Sequence, residues 1–173
     1  MQTFLPFADF EASARLLDSR RLGKQRVEVL QVLRAIVRPN YGWRHHPIPK
    51  MWRGSEEALG AYGVAVCREW RNRGFSDTVE PQIRDELAGI GIDHIRTQSE
   101  LADLGLLPPW LGDERLHRSH RSALLRKDAA WYSQWFSDVP DDLPYFWPTR
   151  DENGGASPLD GAKAATEDAQ NGQ

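Results

Sequence analysis

LLDSRRLGKQRVEVLQVLRAIV, running from Leu16 to Val37, is the stretch that decides the fold. At about 100° per residue, Leu22, Val29, Leu30, Leu33 and Val37 fall on one arc, which predicts an amphipathic helix with one buried face. Arg21, Lys24, Gln25 and Glu28 are read on the opposite arc, one turn apart, facing water. Outward from this helix, the window Ala14 to Arg53 holds ten Lys/Arg against two acids, Asp18 and Glu28. This local excess of +8 sits in a chain whose formal net charge is −3. Solvated helix faces normally mix both signs, so the scarcity of acids points instead to a site for a polyanion, with Glu28 as its candidate chemical group.

The chain of 173 residues is long enough for one domain with a real core, and seven Trp, six Phe and four Tyr supply large apolar surfaces for it. No apolar run reaches the length of a membrane span. The start, MQTFLPFADF, lacks a basic segment leading into an apolar one, so no secretory signal is expected. The single cysteine, Cys67, has no internal disulfide partner, which fits a reducing compartment. It reads as a packed helix thiol rather than a nucleophile. The expected setting is the cytoplasm, with the nucleoid, and the expected state a monomer. From 151 onward the chain has five acids, one Lys and no aromatic residue. The division expected is therefore a folded domain over 1–148 and a disordered acidic tail over 149–173. Without residues 151–173 there are 21 Lys/Arg against 20 Asp/Glu, so the folded part is near neutral with its charges separated.

Strand signals are scarce, and the elements read as helices. A short helix over 8–14 leads into the long one, which Pro39, Asn40 and Gly42 end. Residues 40–50 (NYGWRHHPIPK) read as a loop held by two prolines. One helix is expected from Met51 to Arg73, with Trp52, Leu59, Tyr62, Val66 and Trp70 as its buried stripe and Gly74 as its cap. Further helices are expected over 79–88, over 98–105 entered through Ser99, from Asp113 to Lys127, and over 129–136. The segment 141–148 (DDLPYFWP) reads as extended, with its aromatics packed on the body. The fold class is all-α: a compact, single-domain helical fold with one long N-terminal amphipathic helix.

Other residues carry weaker signals. Glu28 can equally be one end of a helix ion pair with Arg21 or Lys24. His45-His46 and His117/His120 invite a metal reading, but no carboxylate or cysteine pattern completes a site, so neither metal nor cofactor is expected. His46 reads as a positioned loop residue near a DNA face; His120 reads equally as a phosphate or sugar contact and as packing. Trp43, Trp52 and Trp70 read as core, with a DNA wedge as the minor alternative for Trp43 or Trp52 beside the basic loop. Trp131, Tyr132, Trp135, Tyr145, Phe146 and Trp147 read as packing.

Three pieces in order resemble a known family: LDSRRLGKQRVEVLQVL (17–33); His46-Pro47 and Trp52 through Arg73-Gly74-Phe75 and Asp77-Thr78; and HRSHRSALLRKDAAWYSQWF (117–136). Together, over roughly 1–148, they resemble the pyrimidine dimer DNA glycosylases of the phage endonuclease V type, in a branch of small bacterial and phage members. The resemblance implies a compact helical domain that cuts the N-glycosidic bond of a damaged pyrimidine and then nicks the strand by β-elimination. It implies the α-amino group of the mature N-terminus as nucleophile and a glutamate on the first long helix beside the sugar, which falls on Glu28. The phosphate-gripping arginines it implies fall on Arg20, Arg21 and Arg26.

Such chemistry explains the residue types. An amine attacks C1′ only when unprotonated, and an α-amine, with a reference pKa of about 8, loses its proton more readily than a lysine near 10.4. A carboxylate stabilises the cationic sugar left by the departing base and can later take the C2′ proton. Bulky Gln2 disfavours removal of Met1, which leaves three readings open: the Met1 amine as nucleophile, Lys24 as nucleophile, or no amine at all, with Glu28 then activating water. Duplex DNA, damaged or modified, is the expected partner, bound through Arg20, Arg21, Lys24, Arg26, Arg44, His46 and Lys50, with Arg118, His120 and Arg121. The other readings are a non-catalytic DNA-binding module on the same scaffold and an enzyme acting on a small nucleotide-like anion.

Overall fold

The computed structural model describes residues 1–150 and 156–158, and its architecture is helical. Helix α1 spans Phe10–Leu16 and α2 spans Ser19–Val37. The expected long helix thus starts three residues late. Leu17 is extended, and the Asp18 carboxylate outside the helix accepts the N–H groups of Arg20 (3.0 Å) and Arg21 (3.1 Å). That capping satisfies donors a helix start leaves open.

The single helix expected from Met51 to Arg73 is two helices, α3 (Pro47–Trp52) and α4 (Glu56–Asn72). Gly54 adopts φ +83° between them and turns the chain. The last four residues of the expected loop 40–50 are therefore in helix α3. Pro47 begins it, where a missing N–H costs nothing, and His46 Nδ1 accepts from the Ile48 N–H at 3.2 Å. Gly74 ends α4 as expected, at φ +87°. Helix α5 covers Val79–Ala88 and α6 covers Gln98–Asp103. Thr97 and Glu100, not Ser99, form the α6 capping box. Helix α7 spans Glu114–Lys127 behind its cap Asp113, and α8, Ala129–Tyr132, is shorter than expected. Against the extended reading of 141–148, Asp141 and Asp142 form a turn and 143–147 belong to no helix or strand, while a two-stranded antiparallel ladder pairs Pro148–Arg150 with Ala156–Pro158. The rest of the expected tail lies outside the described residues.

Helices α2 and α4 form the central pair, α5 crosses both, α1 lies on α4, and α3 lies on α2. Gly63 permits a close approach of all three central helices. A Cβ there would stand 2.8 Å from Ile83 Cδ1 of α5 and 2.8 Å from Val29 Cγ1 of α2. Among the expected core aromatics, Trp52 and Tyr62 are fully buried, while Trp70 is half-buried and stacked on Phe75 at 4.0 Å. Trp43, expected in the core, is 51% exposed, in a turn where its φ is +69°. Trp131 and Trp135 are likewise exposed rather than packed.

The chain before α1 matters most. Residues 2–6 are buried without belonging to any helix. Buried backbone outside regular structure needs partners for its N–H and C=O groups. Side chains from three helices supply them. Gln25 of α2 donates from Nε2 to the Gln2 carbonyl at 2.7 Å and accepts the Phe4 N–H on Oε1 at 2.8 Å. The Tyr62 hydroxyl of α4 donates to the Phe4 carbonyl at 2.6 Å. From α7, His120 Nδ1 accepts the Leu5 N–H at 2.9 Å, and His117 Nδ1 lies 2.8 Å from the Leu5 carbonyl. The Trp52 indole donates to Thr3 Oγ1 at 2.9 Å. This segment covers the face of α2 read as wet, so Gln25 and Glu28 are buried, a correction to the sequence reading.

Gly63→Ala should lower the unfolding free energy by about 1–3 kcal/mol, because buried Ile83 and Val29 must move to admit one methyl. Urea denaturation measures it; an unchanged midpoint would show that the α2–α4–α5 contact is looser than described.

Candidate active site

The threaded segment ends in a cleft of about 340 Å³, lined by Met1, Gln2, Phe4, Arg20, Arg21, Lys24, Glu28, Lys127 and Tyr145. Three elements build it. The N-terminal segment forms its floor, the first two turns of α2 supply most of its charge, and the end of α7 and Tyr145 close the opposite side. The sequence-predicted groups Met1, Arg20, Arg21, Lys24 and Glu28 thus come together.

Glu28 is 7% exposed. Lys24 Nζ stands 3.6 Å from its Oε1, but Lys24 is 75% exposed, so this pair is weak. Burial raises the Glu28 carboxyl above its ordinary value. The α-ammonium of Met1, the Lys24 ammonium and the Gln2 N–H oppose that rise without cancelling it. The α-amino group therefore lies within electrostatic reach of the carboxylate.

Arg20 and Lys127 present exposed side chains to the cleft and have no carboxylate partner among the described residues. Arg21 is fixed instead. It donates to Asp18 Oδ2 at 2.8 Å and to the Lys127 carbonyl at 2.6 Å. Asp18 also accepts the Tyr132 hydroxyl at 2.6 Å. Burial pushes the Asp18 carboxyl up, but the Tyr132 hydroxyl and Arg21 outweigh it and hold it below its usual range. Arg21 thus ties α2 to the α7–α8 junction and keeps Lys127 at the cleft.

The other candidate residues lie elsewhere. Arg26 is bound to Asp77 at 2.5 Å with its guanidinium 4.4 Å from the Trp70 ring centroid. Arg34 and Arg38 share Glu86. Much of the basic window is thus neutralised by acids of the Asp77 turn and α5, distant in sequence. Arg44 donates to the Pro39 carbonyl and Lys50 is exposed, both outside the cleft. Arg118 donates to the Asp138 carbonyl at 3.2 Å. Arg121 is paired with Glu114 and donates to the Pro6 carbonyl at 3.3 Å. His120 has no exposed surface, which removes it as a DNA contact. Its pKa is pushed down to about 3 by burial, with His117 adding to the shift. His117 is also lowered by burial. Both rings are neutral struts. No three His, Cys, Asp or Glu come together as a metal-binding group among the described residues.

Sequence reading missed Lys127, Tyr145 and the clamp role of Gln25. Only Gln25 left a signal: it lies three residues after Leu22 and four before Val29, a core spacing held by a polar side chain.

The cleft thus sets an amine and a buried carboxylate among several cationic side chains. The family model described as pyrimidine dimer DNA glycosylase matches residues 1–82, the part that carries the threaded segment, Glu28 and α2 to α4. Over these residues the chain is similar to that family, the one the sequence resembles. Comparison with curated proteins and with solved structures returns no match. No helix among the described residues is long and apolar enough to cross a membrane.

Two pH effects follow. The folded-state pKa of His120 is depressed, so its stability contribution is complete above the unfolded value near 6.5 and is lost as pH falls below it. Between pH 6.5 and 4.5 this costs about 2 kcal/mol for one histidine. Urea titrations of wild type and His120→Asn, which keeps an acceptor for Leu5, should differ in slope over that window; parallel curves would contradict the neutral strut. Glu28 has the opposite sign. Its raised pKa makes ionisation destabilising above the ordinary carboxylate value, so Glu28→Gln should raise Tm at pH 7 and the gain should vanish in acid. A lower Tm at pH 7 would count against a desolvated carboxylate.

Proposed function

We propose that the protein is a DNA-repair glycosylase with an associated lyase step, acting on a damaged or modified base in duplex DNA. The observation that carries this reading is the α-amino group of Met1 beside the buried carboxylate of Glu28 in a cationic cleft. Arg20 and Lys127 grip the phosphates flanking the target nucleotide. The unprotonated amine attacks C1′, a nitrogen–carbon bond forms as the glycosidic bond breaks, and the base leaves with the electron pair and takes up, through solvent, the proton that the new ammonium loses. Glu28, poised against the positive charge that develops on the sugar, stabilises it. Ring opening gives an imine, and Glu28 then takes a C2′ proton while the C3′–oxygen bond breaks and the 3′ phosphate departs. Hydrolysis of the imine with water frees the enzyme. Lys24 is the competing amine; its side chain reaches well into solvent and is better placed for a phosphate contact.

Borohydride should link the protein covalently to duplex DNA carrying an abasic site, and the linked peptide should contain Met1. Glu28→Gln should lower turnover by about 10²–10⁴ with affinity within about threefold. Affinity for duplex should fall steeply with salt, as phosphate contacts release counterions. Intact binding without trapping would leave a DNA-binding module and overturn the lyase step. Turnover of a nucleotide without duplex binding would favour a small-anion enzyme.

A further inference from the structure

Trp43 has a backbone conformation that bulky residues avoid. Its φ is +69°, the only positive value at a non-glycine position among the described residues. A large side chain in the left-handed region is an outlier, and such outliers persist where the surroundings enforce them. Here the Trp43 carbonyl accepts the His46 N–H at 3.0 Å, closing a tight turn whose next residues enter α3. The turn lifts the indole into solvent, 51% exposed, and its N–H has no acceptor among the described residues. Trp131, also exposed, differs, since its indole donates to the Leu16 carbonyl at 3.1 Å.

A row of rings joins this turn to the cleft. Trp43 and His46 centroids are 5.8 Å apart, His46 and Trp147 5.8 Å, and Trp147 and Tyr145 5.4 Å. Tyr145 is a wall of the cleft. Charge favours the same partner: from Val29 to Ser55 there is no acid, and Arg44, Lys50 and Arg53 lie within ten residues of Trp43. An exposed, tightly turned indole on an acid-free stretch of chain, joined by a row of rings to a cationic cleft, matches a stacking site for a base, with phosphates on either side.

We propose that Trp43 stacks on a nucleobase of the duplex beside the target nucleotide and holds the helix open there. The inference rests on the cleft being a DNA site and adds a second, aromatic contact that recognises unstacked rather than intact duplex. Trp43→Gly removes the ring and keeps the left-handed backbone, so folding is preserved.

The test is binding to two duplexes, one intact and one with a single tetrahydrofuran abasic analogue, which cannot form an imine. Trp43→Gly should weaken binding to the analogue duplex about tenfold, consistent with loss of one base–aromatic stack, and change binding to intact duplex by less than about twofold. Trp43→Phe should keep most of the preference. Equal affinity of wild type and Trp43→Gly for the analogue duplex overturns the proposal and leaves the DNA reading standing, and so does an equal loss on both duplexes. A wild-type protein that binds neither duplex overturns both together.

Discussion

Gln25 joins the segment before α1 to the longest helix by a paired exchange, giving one hydrogen bond to the Gln2 carbonyl and taking one from the Phe4 N–H. The site depends on this amide. The segment is buried between α2 and α7, and without side-chain partners its backbone groups would each cost about 1–3 kcal/mol. With them, Phe4 and Leu5 become core residues and the first residue of the chain has a fixed address. That address is the cleft beside Glu28. Tyr62, His117 and His120 continue the same arrangement along Phe4 and Leu5, and their burial keeps the two histidines neutral.

The same burial tunes the carboxylate. A glutamate on an open helix face beside Lys24 would be an ordinary surface ion pair of little energetic consequence. Covered by the N-terminal segment, Glu28 is partly desolvated and its proton affinity rises, which is the condition for a group that alternates between holding charge and taking a proton. Arg21 contributes by a different route. It binds Asp18 and the Lys127 carbonyl, so it fixes the wall of the cleft rather than touching a ligand. Arg20, Lys24 and Lys127 remain as the exposed cations.

Much of this was legible in the sequence, for physical reasons. The 3.6-residue period located α2, α4, α5 and α7, and Gly74 marked its helix end because a left-handed cap needs glycine. The acid-poor window located the basic side of the cleft, and Glu28 stood out within it. The sequence was silent where tertiary contacts decide. Asp77 and Glu86 neutralise Arg26, Arg34 and Arg38 from positions some 48 to 52 residues away, so local charge counting overstated the patch. Burial of Glu28 follows from a segment with no helical period of its own. Trp43 read as core because exposed indoles are uncommon, and nothing local announces that its turn is left-handed.

The central claim is that the terminal amine sits against Glu28. Selective acetylation of the α-amine near neutral pH, followed by NMR titration of the Glu28 side-chain carboxyl, tests it directly. Removing the ammonium removes a charge that lowers the Glu28 pKa, so the titration midpoint should move to higher pH than in the unmodified protein. An unmoved midpoint would mean that the two groups do not face one another, and the proposed active site would be wrong.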